Sequence, residues 1–454
     1  CFVMNTMPVP DWNRELELCN QFLKYDERNF HGWDYRRFIV RKANLPPEAE
    51  LEFSMSKINN NFSNYSSWHY RSKLLPVVYP DKTQPMGVHE EALLKEYELV
   101  QNGFFTDPDD QSNWFYHRWL MGRGEQVQEG NCIVVSRLDN SAIISFTKHI
   151  QVGNHADIHF EVNGSKLDHL TWHNADRSPF FSTMWITYDL CLPKSQECSI
   201  KATLIENNSE VCSLYLHLGD TDDSKSASSL TSTGSSRFSQ ELSALKSETL
   251  QQELQSILEL MEIETDNKWV MLTIVLLMKA LDPIKYEADI MTSLDKLEAL
   301  DFKRINYYKD LKSKFIIENI LDVAAGSIVS SVDLKEKGLT KLYHTELLPL
   351  VTVLDLTNNQ LRDIQHFNYL QSLTELKLCG NYIESCEGLQ HLPKLEKLFL
   401  RNNRLSSPLN FHQLQSCPRL KYLNISENPI CENENLIEGL RELLNNVEIT
   451  FKSL

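Results

Sequence analysis

The chain has 454 residues, of which 62 are acidic and 45 basic, for a net charge of −17. That length exceeds what one hydrophobic core supports and allows about three domains. The acidic excess argues against nucleic acid or an anionic bilayer as the main partner, since both need a clustered positive surface.

The first segment, 1–130, carries a degenerate repeat: an Asn, a Trp four positions later and a basic residue three beyond it. Asn29, Trp33 and Arg36 form one copy and Asn64, Trp68 and Arg71 a second; a third keeps Trp114 but has Asp110 and His117 at the flanking positions. An amphipathic stretch precedes each signature, so each unit reads as helix, short polar turn, Trp-bearing helix. Trp33 and Trp68 are 35 residues apart, a period that predicts stacked helical hairpins. From Asn131 to about 220 the period becomes two, in runs such as CIVVSRL and ADIHFEV, with Asp139-Asn140, Asn163-Gly164 and Asn207-Asn208 as hairpin turns. These predict an inserted β-sandwich of the immunoglobulin/C2-like kind. The serine-rich stretch 221–240 reads as a flexible linker.

Helical periodicity resumes over 241–325, where Asn267-Lys268-Trp269 echoes the earlier Trp helices. The apolar run from Trp269 to Met278 is about half of the ~20 residues a membrane span needs, and predicts a buried core helix. Residues 326–454 fit the template L-x-x-L-x-L-x-x-N-x-L in four copies, with asparagines at 359, 381, 403 and 428. A degenerate first copy runs through Val329, Val332, Leu334, Lys337 and Leu339. The copies start 22, 22, 22 and 25 residues apart, a leucine-rich repeat. The expected fold class is therefore multidomain: a helical-repeat solenoid interrupted by the sandwich, followed by leucine-rich repeats. Each appended module has its own periodicity and is expected to fold with few contacts to the rest.

Chemistry is sparse. The chain has no glycine-rich phosphate loop, no G-x-S-x-G elbow and no HExxH. His155 and His159 lie four apart, but along a strand that separates them by ~13 Å, too far to share an ion, and no metal site is expected. The ten cysteines show no ligand spacing and read as reduced thiols in a cytoplasmic protein. Three indoles at matching positions point to core packing for Trp33, Trp68 and Trp114, with Arg36 and Arg71 as repeat elements. Asn29, Phe30 and His31, and likewise Asn64 and Tyr65, fall in the turn or first helical turn, where free N–H groups face one edge of the solenoid and can meet an anionic substrate.

The Asn-x-x-x-Trp-x-x-Arg repeats, with ERNFHGWDYRRF and NFSNYSSWHYRS as they stand here, resemble those of protein prenyltransferase α subunits. The inserted sandwich and terminal leucine-rich module are similar to the Rab geranylgeranyltransferase (type II) branch in animals. The resemblance implies a heterodimer, inactive as this chain alone, in which a β subunit holds zinc and most of the lipid site. Geranylgeranyl diphosphate would be the donor, and Rab GTPases presented by a Rab escort protein the acceptors. It places His31 on the diphosphate side, with Asn29, Phe30, Asn64 and Tyr65 at the substrate and subunit interface. It also implies an N-terminal truncation, because Cys1-Phe2 aligns just after the Trp of a repeat whose Pro-Lys-x-Tyr element is missing. The alternative is a non-catalytic scaffold that binds proteins through its repeats.

Overall fold

A computed structural model describes residues 4, 6, 7, 9–81, 87–122, 128–154, 156–175, 177, 180–228, 247–323 and 330–452. The chain forms two compact units, Cys1–Glu125 with Phe238–Lys303, and Gln126–Arg237 with Arg304–Leu454.

The first unit is helical: α1 (Trp12–Tyr25), α2 (Phe30–Lys42), α3 (Pro47–Asn60), α4 (Tyr65–Val78), α5 (Glu90–Thr106), α6 (Gln111–Met121), α7 (Ser247–Ile263), α8 (Lys268–Leu281) and α9 (Glu287–Leu300). Helices pair in sequence as hairpins. The second helix of each of the first four starts at an Asn or Asp whose side chain caps its free N–H groups: Asn29, Asn64, Asp110 and Asn267. Trp33, Trp68 and Trp114 are buried. Each indole is fixed by donating Nε1–H to the carbonyl six residues back, at Glu27 (2.8 Å), Phe62 (2.7 Å) and Pro108 (2.8 Å). The apolar run of α8 is buried on nearly every side, and no described helix is long and apolar enough to cross a membrane.

The second unit begins with β1 (Gly130–Ser136), β2 (Ser141–Ile150), β3 (Ala156–Val162), β4 (Ser165–Lys166), β5 (His173–Asn174), β6 (Ser182–Thr187), β7 (Cys198–Glu206), β8 (Ser209–Leu218) and β9 (Ser224–Ser228). They form two antiparallel sheets, ordered β5-β6-β2-β1-β9 and β4-β3-β7-β8, whose facing side chains share one apolar cluster around Ile133, Ile144, Phe160, Trp185, Ile200 and Leu216. Asn140, Asn163, Asn207 and Asn208 take the left-handed backbone that tight hairpins require. The expected linker at 221–240 is corrected in part. Ser224–Ser228 pair with β1, from Cys132↔Ser228 to Ser136↔Ser224, because a sheet edge needs only backbone donors and acceptors. The remainder of that stretch, 229–240, lies outside the described residues.

The leucine-rich part follows. Strands β10 (Ser331–Asp333), β11 (Val353–Asp355), β12 (Glu375–Lys377), β13 (Lys397–Phe399), β14 (Tyr422–Asn424) and β15 (Glu448–Thr450) form one parallel sheet in chain order. The first five strands bury their middle residues, Val332, Leu354, Leu376, Leu398 and Leu423, while Ile449 of β15 is partly buried against the same core. Asn381 shows how the copies are joined: its Oδ1 accepts from Leu361 N–H of the preceding copy (3.0 Å), and its Nδ2 donates to the carbonyls of Leu356 and Leu378 (3.0 Å each). Asn359, Asn403 and Asn428 repeat the arrangement. The final strand, β15, belongs to no copy of the sequence template, and Val329 of the degenerate copy lies outside the described residues.

Two expectations about organisation change. Helix α10 (Ile305–Val323) falls in the second unit rather than in a helical block running to 325. Ile317 enters the leucine-rich core, with Ile316, Ile320 and Leu321 beside it, so α10 covers the apolar end that the first copy would otherwise expose. The sandwich and the leucine-rich repeats are not separate either. Val134, Ile143, Met184 and Ile186, on the outer face of the β1–β2–β6 sheet, pack with Tyr369. Because those strands are covered on both faces, β1 is buried along its whole length, without the alternation of a half-exposed strand.

Candidate functional site

The second helices of the hairpins begin along one edge of the helical unit, and the sequence-derived site residues lie there. Asn29 accepts the Gly32 N–H at 3.0 Å. Phe30 and His31 follow as the first two residues of α2, both exposed, with ring centroids 4.0 Å apart. His31 thus stands beside free helix N–H groups and the positive end of the helix dipole, an arrangement suited to an anion. Tyr65, the first residue of α4, is half exposed. It stacks on His69 (5.9 Å, 14°) and meets the edge of Phe115 (6.2 Å), which in turn meets Trp269 (5.6 Å). Burial, with Lys73 and Arg37 nearby, lowers the His69 pKa below its usual value and favours the neutral imidazole.

Asn64 is placed differently from the expectation of a substrate-facing side chain. It is fully buried. Its Oδ1 caps Ser66 N–H at 3.1 Å while its Nδ2 donates to the Glu27 carbonyl at 2.9 Å, so the amide has no face left for a ligand. That same Glu27 carbonyl holds the Trp33 indole. Asn267 reaches the Pro108 carbonyl in the equivalent way, at 3.1 Å. These caps join one hairpin to the turn of the one before it.

Beneath the edge runs a ladder that the sequence reading missed. Arg36 of α2 forms a two-pronged pair with Glu50 of α3 (2.8 and 2.6 Å), and Tyr70 of α4 donates to the same carboxylate at 2.8 Å. One hairpin on, Arg71 pairs with Glu96 (2.7 and 2.6 Å) and Tyr116 donates to it at 2.6 Å. At the next step His117 Nε2 lies 3.0 Å from Glu253, whose other oxygen accepts from Gln101 at 2.8 Å. Tyr35 and Glu15 make the corresponding contact in the first hairpin at 2.6 Å. Burial and the bond to Glu15 push the Tyr35 hydroxyl up to about 12, and burial with Glu50 raises Tyr70 as well, so both phenols are neutral donors. For Arg71, burial opposes the charge, but the bonds and field of Glu96 outweigh it and raise its pKa. The signal was available: a Tyr follows each repeat Trp by two positions, and a Glu precedes that Tyr by twenty.

Among the described residues no three His, Cys, Asp or Glu side chains converge in a way that could hold a metal ion.

Comparison with known proteins matches this edge to a protein prenyltransferase alpha subunit repeat at residues 12–43, 47–76 and 93–124. A leucine rich repeat matches residues 349–405. The chain is 42% identical over 460 residues to the geranylgeranyl transferase type-2 subunit alpha of Homo sapiens, covering 98% of this chain and 79% of that one. The Bos taurus protein of the same name is also 42% identical, with the same coverage. That of Dictyostelium discoideum is 44% identical over 125 residues, 28% of this chain and 39% of its own. Similarity of this extent, over helical repeats and leucine-rich repeats alike, shows that the chain belongs to the family of geranylgeranyl transferase type-2 alpha subunits.

Proposed function

We propose that the chain is the non-zinc subunit of a cytoplasmic heterodimer that moves a geranylgeranyl group from geranylgeranyl diphosphate to C-terminal cysteines of Rab GTPases presented by a Rab escort protein. The observation that carries this reading is the near full-length similarity to alpha subunits of that name, and the exposed Phe30–His31 edge at the start of α2 gives it a chemistry. Zinc belongs to the partner β subunit in this reading, where it would supply the acceptor cysteine as thiolate. The reaction breaks the C1–O bond of the lipid diphosphate as the sulfur–C1 bond forms, and the electron pair leaves on the diphosphate oxygen. His31 has no hydrogen-bond partner among the described residues and stands at a helix N-terminus, so it can donate to that oxygen as charge develops. Asn29 fixes the first turn of α2, and Phe30 supports the imidazole by ring contact. Tyr65 offers a second polar group on the same edge. The two-sheet insert is read as an immunoglobulin/C2-like sandwich.

Co-expression with the family's β subunit tests the proposal. Stable co-purification and transfer of a geranylgeranyl group to a Rab protein in the presence of escort protein are expected, with no transfer by this chain alone. Absence of both the complex and the activity would favour a non-catalytic scaffold.

A further inference from the structure

Between the outer face of the β1–β2–β6 sheet and the loops of the leucine-rich repeats, both within the second unit, lies a cavity of about 300 Å³. Its chemistry is divided. Val134, Ile143, Ile186 and Leu350 supply an apolar wall, while Ser141, Ser224 and Ser372 bring hydroxyls and Lys394 and Arg419 bring positive charge. Asp139 is the one carboxylate in the lining, and it is already engaged: Lys394 lies 2.5 Å away and Ser136 donates to it at 2.8 Å. Tyr188 is likewise committed, donating to Gln371 at 3.0 Å. The three serine hydroxyls have no side-chain partner among the described residues; Arg419 makes no side-chain hydrogen bond or ion pair there, but its charge acts on Asp139 together with that of Lys394.

We propose that this cavity binds a small organic phosphate bearing hydroxyl groups. Two cations, Lys394 and Arg419, facing the single carboxylate of Asp139 leave a surplus of positive charge that is the electrostatic complement of a phosphate. Unpartnered hydroxyls match ligand hydroxyls, and the apolar wall matches the carbon face of a ring. The volume lies at the small end of ligand pockets, which admits one ring with its phosphate and excludes a dinucleotide. Since the lining comes from both the sandwich and the leucine-rich repeats, an occupant would fasten the two modules together.

The test uses the full chain with glucose 6-phosphate, glucose and inorganic phosphate as probes, in calorimetry and thermal unfolding. Glucose 6-phosphate should bind and raise the unfolding midpoint by several degrees through mass action. Glucose should not bind, and inorganic phosphate should bind at least tenfold more weakly than the sugar phosphate. Arg419→Gln, at an exposed position that leaves the fold intact, should weaken glucose 6-phosphate binding by at least tenfold. The proposal is overturned if glucose 6-phosphate does not bind, if Arg419→Gln leaves its binding unchanged, or if inorganic phosphate binds equally well, which would mark an adventitious anion contact at Arg419.

Discussion

Arg71 and Glu96, on consecutive hairpins, face each other across a buried two-pronged ion pair with N–O distances of 2.7 and 2.6 Å. Removing one partner strands the other charge away from water. Arg71→Ala should therefore destabilise the helical unit by about 3–5 kcal/mol. The double replacement Arg71→Met with Glu96→Leu should recover most of that loss, because no charge remains to desolvate. Urea denaturation of the wild type and the two variants checks this, and a double variant as unstable as the single one would contradict it.

Asn381 serves three backbone groups that have no access to water. Asn381→Leu keeps the volume but leaves those groups unpaired, at about 1–3 kcal/mol for each group left unsatisfied. We expect a loss of at least about 2 kcal/mol on that basis, with amide exchange accelerated at Leu361. Slow exchange at Leu361 in the variant would show that the ladder is not what holds that turn.

Tyr369 packs against Val134, Ile143 and Met184, and its hydroxyl lies 3.1 Å from Ser182 Oγ. Tyr369→Phe should cost about 1 kcal/mol for the lost hydrogen bond, whereas Tyr369→Ala should cost about 3–5 kcal/mol by opening a cavity. If the sandwich and leucine-rich repeats unfold together in wild type, Tyr369→Ala should split the calorimetric transition. A single unchanged transition would mean that the modules are coupled elsewhere.

His344 lies between Glu318 of α10 (Nε2, 3.1 Å) and Glu346 of its own loop (Nδ1, 3.4 Å), with Lys314 also 3.6 Å from Glu318. Burial lowers its pKa, but the two carboxylates outweigh burial and raise it above 6.5. A raised folded-state value means that the stabilisation is complete below pH 6.5, the unfolded value, and is lost as pH rises through the higher folded one. The stability difference between wild type and His344→Gln should accordingly shrink between about pH 6 and pH 8. A difference that grows over that interval would reverse the assignment.

In a heterodimer competent for transfer, His31→Ala should lower single-turnover transfer by about tenfold to a hundredfold, less than the loss of a sole oxyanion donor, and leave assembly intact. Equal rates at saturating lipid would reduce His31 to a surface residue.

The leucine-rich repeats were legible because every copy uses the same residue types at the same offsets, so pattern and structure coincide at Asn359, Asn381, Asn403 and Asn428. The Trp repeats gave the hairpins, yet not the Arg–Glu–Tyr ladder, since Glu50 and Glu96 sit among many surface glutamates and only burial separates them. Strand β9 escaped because its pairing with β1 uses backbone alone, and a run of serines carries no apolar period. Helix α10 escaped for a different reason: an amphipathic helix that caps a leucine-rich sheet has the same periodicity as one that extends a solenoid. Asn64 read as a ligand group because a cap at a turn resembles a polar residue facing solvent.

The rung between His117 and Glu253 joins residues 136 positions apart in the chain. At a synthesis rate of about 5–20 residues per second, Glu253 leaves the ribosome roughly seven to twenty-seven seconds after His117. During that interval the first three hairpins exist with their last polar joint unmade, and the strands of the sandwich emerge in the gap. The nascent helical unit therefore waits for an acid that arrives only after the strands of another module have been translated.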